Sequence, residues 1–285
     1  MRSQNADTAL HVAALKGHAA AVSVLIAAGV AVSAANKAGY RAVHYAADSG
    51  SLATLTALLD AAPGERCASG ERSGETPLHR AALSGRQAAV AELLARGAAV
   101  DAPDTARRPH PRLDARASTT RAHSDSERRR RRRQAGATPL LRACERGEMA
   151  VAEQLLAAGA APSARDKVRA IAAPLGALLP RPRAPPSPLS SALPWSQAGR
   201  SPLLAAIATA AHTDLAWALL VRGADALAAD GQGVTPLHAA ATRGLAPLAE
   251  ELLRRGARQT EAADGRTPRE CAAIGSAVRA LLQAG

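Results

Sequence analysis

The sequence predicts an all-α solenoid made of stacked pairs of short helices, and three observations support this prediction. A motif of the form Thr-Pro-Leu-His recurs along the chain, mostly at steps of 32 to 35 residues. In most copies a glycine, a pair of large aliphatic residues and a second glycine follow at similar spacing. The apolar content is 47%, yet the chain has no Phe, two Trp and two Tyr. Its core therefore has to be built from small side chains packed closely together.

The first helix of each unit is predicted to begin at the motif. In Thr76-Pro77-Leu78-His79, Thr is a good N-cap, and Pro suits the first helical turn because its missing N–H would be unpaired there anyway. Small residues such as Ala81 and Ala82 follow, and Gly85 ends the helix because glycine adopts the left-handed conformation at little cost. The seven units begin at Thr8, Arg41, Thr76, Thr138, Ser201, Thr235 and Thr267.

The second helix of each unit is predicted to carry a leucine pair near its end. Helices of roughly 8–10 residues are marginal in isolation. We therefore expect them to be stabilised by burying these pairs against the units on either side. The pairs are Leu25-Ile26, Leu58-Leu59, Leu93-Leu94, Leu155-Leu156, Leu219-Leu220 and Leu252-Leu253.

The pattern T-P-L-H-x-A-A-x-x-G, followed by a leucine pair, by G-A and by Asp or Asn, resembles the ankyrin repeat. The match is strongest at 76–104 and 235–264 and weakest at 267–285, where Arg269 and Glu270 replace apolar and His positions. The resemblance implies an ankyrin-repeat solenoid of stacked helix-turn-helix units joined by short turns or hairpins, with a capping unit at the C-terminus. It also implies that the chain binds another protein.

Two of the steps between units are longer than one repeat. The step from Thr76 to Thr138 is 62 residues and the step from Thr138 to Ser201 is 63. Removing 105–133 or 168–197 restores a step of 33 residues at either place. We therefore predict repeats 1–3 in 1–104, an Arg-rich insert in 105–133, repeat 4 in 134–167, a Pro/Ser-rich insert in 168–197, and repeats 5–7 in 198–285.

The two inserts have two alternative interpretations. Turn tips tolerate insertion, and the Arg, Pro and Ser content of both segments is typical of disordered loops that cannot form a core. Alternatively they are translated introns, because the codons of Val168 and Gln197 are compatible with splice-site sequences. Sequencing of the mature transcript across both joints distinguishes the two.

The formal net charge of +12 is confined to the inserts and their flanks. Residues 103–136 carry a net charge of +7 and residues 167–200 carry +5, so the repeats themselves are neutral. The run Arg128–Arg133 could contact nucleic acid or act as a nuclear localisation signal. No aromatic residues lie within it to stack on bases, so we interpret it as a solvated charge run or as untranslated sequence.

The remaining motifs predict a non-enzyme. His11, His44, His79 and His238 each occupy the fourth place of the repeat motif, where the resemblance implies a structural hydrogen bond. We find no catalytic motif, no cofactor-binding loop and no metal-ligand spacing, so no catalytic residue, cofactor or metal is predicted. Three widely spaced cysteines favour a reducing compartment, the cytoplasm or nucleus. No secretory signal or membrane span is recognised, and a monomer is expected.

The resemblance places a partner against the concave side, formed by the turn tips and the exposed face of the first helices. Tyr40 is the preferred single anchor, because aromatic and Arg side chains dominate binding hot spots; the alternative is that it packs within its turn. The residues predicted to contact a partner are Lys37, Tyr40, Arg72, Ser73, Glu75, Leu83, Ser84, Glu145, Arg146, Gln232, Val234, Thr242, Arg243 and Arg266.

Two functional hypotheses follow for the chain as a whole. The first is a protein-binding scaffold or adaptor whose partner the sequence does not identify. The second is that the repeats are the targeting part of a larger protein, such as an enzyme, a ubiquitin-ligase adaptor or a membrane protein. The absence of a leading cap before Thr8 favours the second hypothesis weakly.

Overall fold

The computed structural model describes residues 6–70, 74–104, 136–164, 199–209 and 213–284. These residues form seven consecutive helix pairs, which confirms the predicted all-α architecture. The first helices of the pairs are α1 (Ala9–Leu15), α3 (Ala42–Ser49), α5 (Pro77–Leu83), α7 (Pro139–Arg146), α9 (Pro202–Ala208), α11 (Pro236–Arg243) and α13 (Pro268–Cys271). The second helices are α2 (Ala19–Ala27), α4 (Leu52–Ala61), α6 (Gln87–Ala95), α8 (Met149–Ala157), α10 (Thr213–Val221), α12 (Ala246–Arg254) and α14 (Ala277–Ala284).

The first helices begin at the predicted capping residues. The hydroxyl of Thr138 accepts a hydrogen bond from the amide of Leu141 (3.3 Å), and that of Ser201 accepts one from the amide of Leu204 (3.2 Å). Each bond satisfies a backbone donor that has no partner within the helix. At the other end of α7, Gly147 has φ of 77°, a left-handed conformation that glycine adopts without strain.

The helix pairs stack into one continuous row. Every first helix packs against the first helix of the next pair, from α1 to α13. This includes α5 against α7 and α7 against α9, although residues 105–135 and 165–198 separate these helices along the chain. The solenoid is therefore not interrupted at either of these two positions.

The leucine pairs form the core between neighbouring units, as predicted. The first leucine of the pair is fully buried in the second to sixth units, where it is Leu58, Leu93, Leu155, Leu219 and Leu252. Burying a leucine side chain contributes about 1.5–3 kcal/mol, so these residues supply much of the cohesion of the stack. Leu25 of the first unit is only partly buried, because no unit precedes it in the described row.

The connection between the second and third units contains an element that the repeat pattern does not predict. A 3₁₀ helix spans Pro63–Cys67, directly after α4. It places Glu65, 5% exposed, where its carboxylate pairs with Arg41 at 2.8 Å. No helix within the described ranges is long and apolar enough to cross a membrane.

Candidate partner-binding surface

The turn tips between units are closed by their first residue. In the tip after the first unit, the amide of Asn36 donates to the carbonyl of Tyr40 at 2.9 Å. The side-chain Oδ1 of Asn36 accepts from the amides of Ala38 and Tyr40, both at 3.0 Å. Such a turn, in which the side chain replaces a backbone acceptor, holds its tip in one conformation. The tips and the adjoining side of the first helices are termed here the tip-side surface.

The tip before the fourth unit is closed in the same way across residues 105–135. The amide of Asp104 donates to the carbonyl of Ala137 at 2.9 Å, and the amide of Gly136 donates to the carbonyl of Asp104 at 2.7 Å. The carboxylate Oδ1 of Asp104 accepts from the amide of Ala137 at 2.8 Å. Asp104 and Gly136, the described residues on either side of this stretch, thus lie within a single turn. The predicted inserts, 105–133 and 168–197, lie outside the described residues, and their boundaries stay predictions.

The histidine of the repeat motif connects each helix start to the following turn. The amide of Thr76 donates to Nδ1 of His79 at 3.1 Å. Nδ1 is therefore unprotonated, and Nε2 carries the proton that it donates to the carbonyl of Ala137 at 3.0 Å. The same arrangement joins His11 to the carbonyl of Tyr40, His44 to that of Glu75, and His238 to that of Arg266.

Burial keeps the rings of His44 and His79 neutral and away from solvent. It lowers the pKa of both His44 and His79 to about 4, because a buried imidazolium loses its hydration. With both ring nitrogens engaged inside the protein, neither ring is available as a general base. Within the part of the chain that the structure describes, no cluster of His, Cys, Asp or Glu could hold a metal ion.

Cys144 and Cys271 are not reactive either. Cys144 is a fully buried free thiol, and burial raises its pKa. Burial also raises the pKa of Cys271, which is half-buried. Because the thiolate is the reactive form, both side chains are poor nucleophiles.

Charged side chains cross the tip-side surface between the second and third units. The hydroxyl of Tyr40 donates to Oε2 of Glu75 at 2.7 Å. The guanidinium of Arg80 lies over the Tyr40 ring, 5.6 Å from its centroid, and its Nη2 bonds Oδ2 of Asp48 at 2.5 Å. These contacts link side chains of two units and fix the position of Tyr40.

The network continues into the fourth unit through Arg142. Its Nη2 lies 2.6 Å from Oδ2 of Asp104 and 3.8 Å from Oε1 of Glu75, and its Nη1 lies 3.1 Å from Oε2 of Glu145. The Arg142 side chain is only 4% exposed. Burial raises the pKa of Asp104 to about 6, while the charge of Arg142 acts in the opposite direction. The side chain of Arg142 thus joins the two chain segments on either side of residues 105–135.

The structure distributes the predicted contact residues over three environments on the tip side. Five are exposed: Lys37, Arg146, Gln232, Arg243 and Arg266. Six are half-buried: Tyr40, Leu83, Ser84, Glu145, Val234 and Thr242. Glu75 is 8% exposed and binds Tyr40, so it influences the surface by positioning its neighbours. Arg72 and Ser73 lie outside the described residues.

Sequence reasoning missed two of the residues that organise this surface, Arg80 and Arg142. Both follow the histidine position of the motif. In the fifth and sixth units alanines, Ala205 and Ala239, occupy the position of these arginines. A comparison of this position across the units would have shown a charged residue in the third and fourth units and a small residue in the fifth and sixth.

Family comparisons agree with this architecture. A model of ankyrin repeats in three copies matches residues 1–70 and 196–285. A model of the single ankyrin repeat matches residues 73–105 and 135–167. A search of curated proteins finds no match.

Solved ankyrin structures are similar along the whole chain. The human ASB11 ankyrin repeat domain is 24% identical with a TM-score of 0.66, and the match covers 98% of this chain and 97% of that one. The ankyrin repeat domain of Bcl-3, described as a unique member of the IkappaB protein family, is 22% identical with a TM-score of 0.63. That match covers 98% of this chain and 100% of the other. At these identities the similarity establishes the fold.

Proposed function

The chain belongs to the ankyrin-repeat family, and we propose that it is a protein-binding scaffold or adaptor that docks its partner on the tip-side surface. The observation that carries this proposal is the network from Tyr40 to Arg142. It holds the tips and first helices of three units in one arrangement before any partner arrives. A preformed surface loses little conformational entropy on binding.

The exposed residues of this surface supply its polar contacts. Arg146 and Arg243 lie at corresponding positions near the ends of α7 and α11, and both are exposed. Lys37 and Arg266 are exposed on the turn tips. Complementary charge on a partner would set its orientation and its rate of association.

The test is crosslinked capture of partners with the purified chain, followed by mass spectrometry. One variant combines Arg146→Glu with Arg243→Glu on the tip side. Its matched control combines Arg222→Glu, directly after α10, with Arg254→Glu at the end of α12. Both positions are exposed, so the control changes the charge equally. Loss of the same captured proteins in the first variant, and their retention in the control, is expected. Equal capture by both variants would refute the tip-side assignment.

A cytoplasmic or nuclear location is part of this proposal. It is supported by the free thiols of Cys144 and Cys271, since unpaired cysteines are usual in reducing compartments. Fractionation of cells that express the full chain, with an antibody readout, tests the location directly.

A further inference from the structure

An open cleft of about 620 Å³ lies across the C-terminal ends of α1, α3 and α5, at the opposite end of these helices from the turn tips. Clefts of this size are typical of ligand-binding sites. Three successive units contribute to it, so its shape depends on their stacking. The side chains that define it, termed here the Lys16 cleft, are Leu15, Lys16, Asp48, Ser51, Ser84 and Arg86.

Asp48 is the one acid among the described residues that line the cleft, and its carboxylate is already engaged. Oδ2 accepts a hydrogen bond from Nη2 of Arg80 at 2.5 Å, and Oδ1 accepts one from the hydroxyl of Ser84. The charge of Arg80 therefore balances that of Asp48, and both carboxylate oxygens have donors within the protein.

Arg86 is held over the second unit although it belongs to the third. Its Nε donates to the backbone carbonyl of Asp48 at 3.0 Å. Its stem covers Gly50, because a Cβ at Gly50 would lie 2.7 Å from Cδ of Arg86. These contacts direct the guanidinium toward the first two units, and the side chain remains exposed.

The cleft carries positive charge without a counter-ion. Lys16 and Arg86 are both exposed, and no carboxylate in the described part of the chain forms an ion pair with either of them. Glu148 of the fourth unit packs against Gly85 and does not line the cleft. Beside the two cations lies Leu15, which is 46% exposed and adds an apolar surface.

We propose that the Lys16 cleft binds the carboxylate of an Asp or Glu side chain on a partner protein, with an adjacent aliphatic residue of the partner packed on Leu15. The carboxylate would accept hydrogen bonds from Nζ of Lys16 and from an Nη of Arg86. Such charge-assisted bonds are stronger than bonds between neutral groups. This inference rests on the proposed protein-binding function and specifies the chemistry of the partner.

Two competing occupants fit the cleft less well. A basic side chain would be attracted only by Asp48, whose charge Arg80 already balances. A nucleic acid would meet two cations, which provides few phosphate contacts. The described residues of the lining also include no aromatic side chain on which a base could stack.

The test uses defined peptides and the full chain. Pentapeptides of the form Ala-Leu-X-Leu-Ala, with blocked ends, carry Glu, Gln or Lys at X. Binding is followed by NMR through the amides of Gly50 and Ser51, which line the cleft. We expect the Glu peptide to bind roughly tenfold more tightly than the Gln peptide. Raising the ionic strength from about 0.05 M to about 0.5 M should reduce this difference, because salt screens exposed charges.

The decisive variant combines Lys16→Gln with Arg86→Gln, which removes both charges at exposed positions. We expect it to bind the Glu and Gln peptides equally, with an unchanged far-UV circular dichroism spectrum. Combining Lys16→Glu with Arg86→Glu should transfer the preference to the Lys peptide. The matched control, Arg222→Gln with Arg254→Gln, removes the same charge elsewhere on the surface and should keep the preference for Glu.

Equal binding of the Glu and Gln peptides by the wild-type chain would overturn the inference, as would no saturable binding of the Glu peptide. An unaltered preference after Lys16→Gln with Arg86→Gln would also overturn it. So would tighter binding of a thymidine decanucleotide than of the Glu peptide at the same amides. Failure of the broader protein-binding role has a different signature, because captured proteins would then be insensitive to Arg146→Glu with Arg243→Glu.

Discussion

Lowering the pH from about 7.5 to about 5 should weaken the stack through its buried histidines. In the folded chain the pKa values of His44 and His79 are lowered to about 4, from an ordinary value of about 6.5. Burial is the first cause. In addition, a proton added to Nδ1 of His79 would face the N–H of Thr76, which now donates to that atom.

The sign of the effect follows from the direction of the shift. Because the folded pKa lies below the unfolded one, the unfolded chain binds more protons between about pH 6.5 and pH 4. The stability from each neutral histidine is therefore complete above pH 6.5 and is lost as the pH falls toward 4. The shift corresponds to about 3 kcal/mol per histidine, of which about 2 kcal/mol is lost by pH 5.

Asp104 acts in the opposite direction, so single titrations of the wild-type chain are not decisive. Its folded pKa is raised to about 6, and its contribution to stability increases as the pH falls through that value. The assay is therefore a comparison of variants. Urea unfolding followed by circular dichroism is measured across this pH range for wild type, His79→Gln and His18→Gln. The last is a control because His18 is exposed.

The expected result is a loss of stability on acidification that is about 2 kcal/mol smaller in His79→Gln than in wild type. His18→Gln should follow the wild-type curve. An identical pH dependence in wild type and His79→Gln would refute the reasoning, since it would mean that His79 is not held neutral by the fold.

Three further predictions concern packing and the charged network. Leu93→Asp should unfold the array, because it removes about 2 kcal/mol of apolar burial and places an unpaired carboxylate in the core; a wild-type thermal melt would contradict the assigned register. Arg142→Met should lower the free energy of unfolding in urea by about 3–5 kcal/mol by leaving Asp104 buried without its cation; a change below 1 kcal/mol would contradict the pairing. Tyr40→Phe should lower the free energy of unfolding by about 1–2 kcal/mol, because the hydrogen bond to Glu75 is lost. It should leave partner capture intact. Lost capture at unchanged stability would instead make Tyr40 a direct anchor.

The helices were predictable because their determinants are local and periodic. The Thr138-Pro139 helix start and the buried Leu58 and Leu93 follow from capping, glycine placement and the leucine spacing alone. The 3₁₀ helix at Pro63–Cys67 was missed because it occurs in one connection only, so no repetition reveals it.

The charged network could not be predicted in the same way. The bond between Tyr40 and Glu75 spans 35 residues, and that between Arg142 and Asp104 spans 38. Such pairs depend on the exact stacking of neighbouring units, which periodicity fixes only approximately. Glu75 was therefore expected to contact a partner, whereas its carboxylate lies beneath the surface and binds Tyr40.

The central claim is that one uninterrupted stack presents the tip-side surface, and the hydrogen bond from Nε2 of His79 to the carbonyl of Ala137 tests it most directly. This bond, 3.0 Å long, joins two units across residues 105–135. In NMR spectra of the full chain, the account predicts a neutral His79 ring with a slowly exchanging Nε2 proton that shows contacts to Ala137 and Thr138. A proton on Nδ1, or an Nε2 proton that exchanges at the rate of a free imidazole, would show that the stack is broken there.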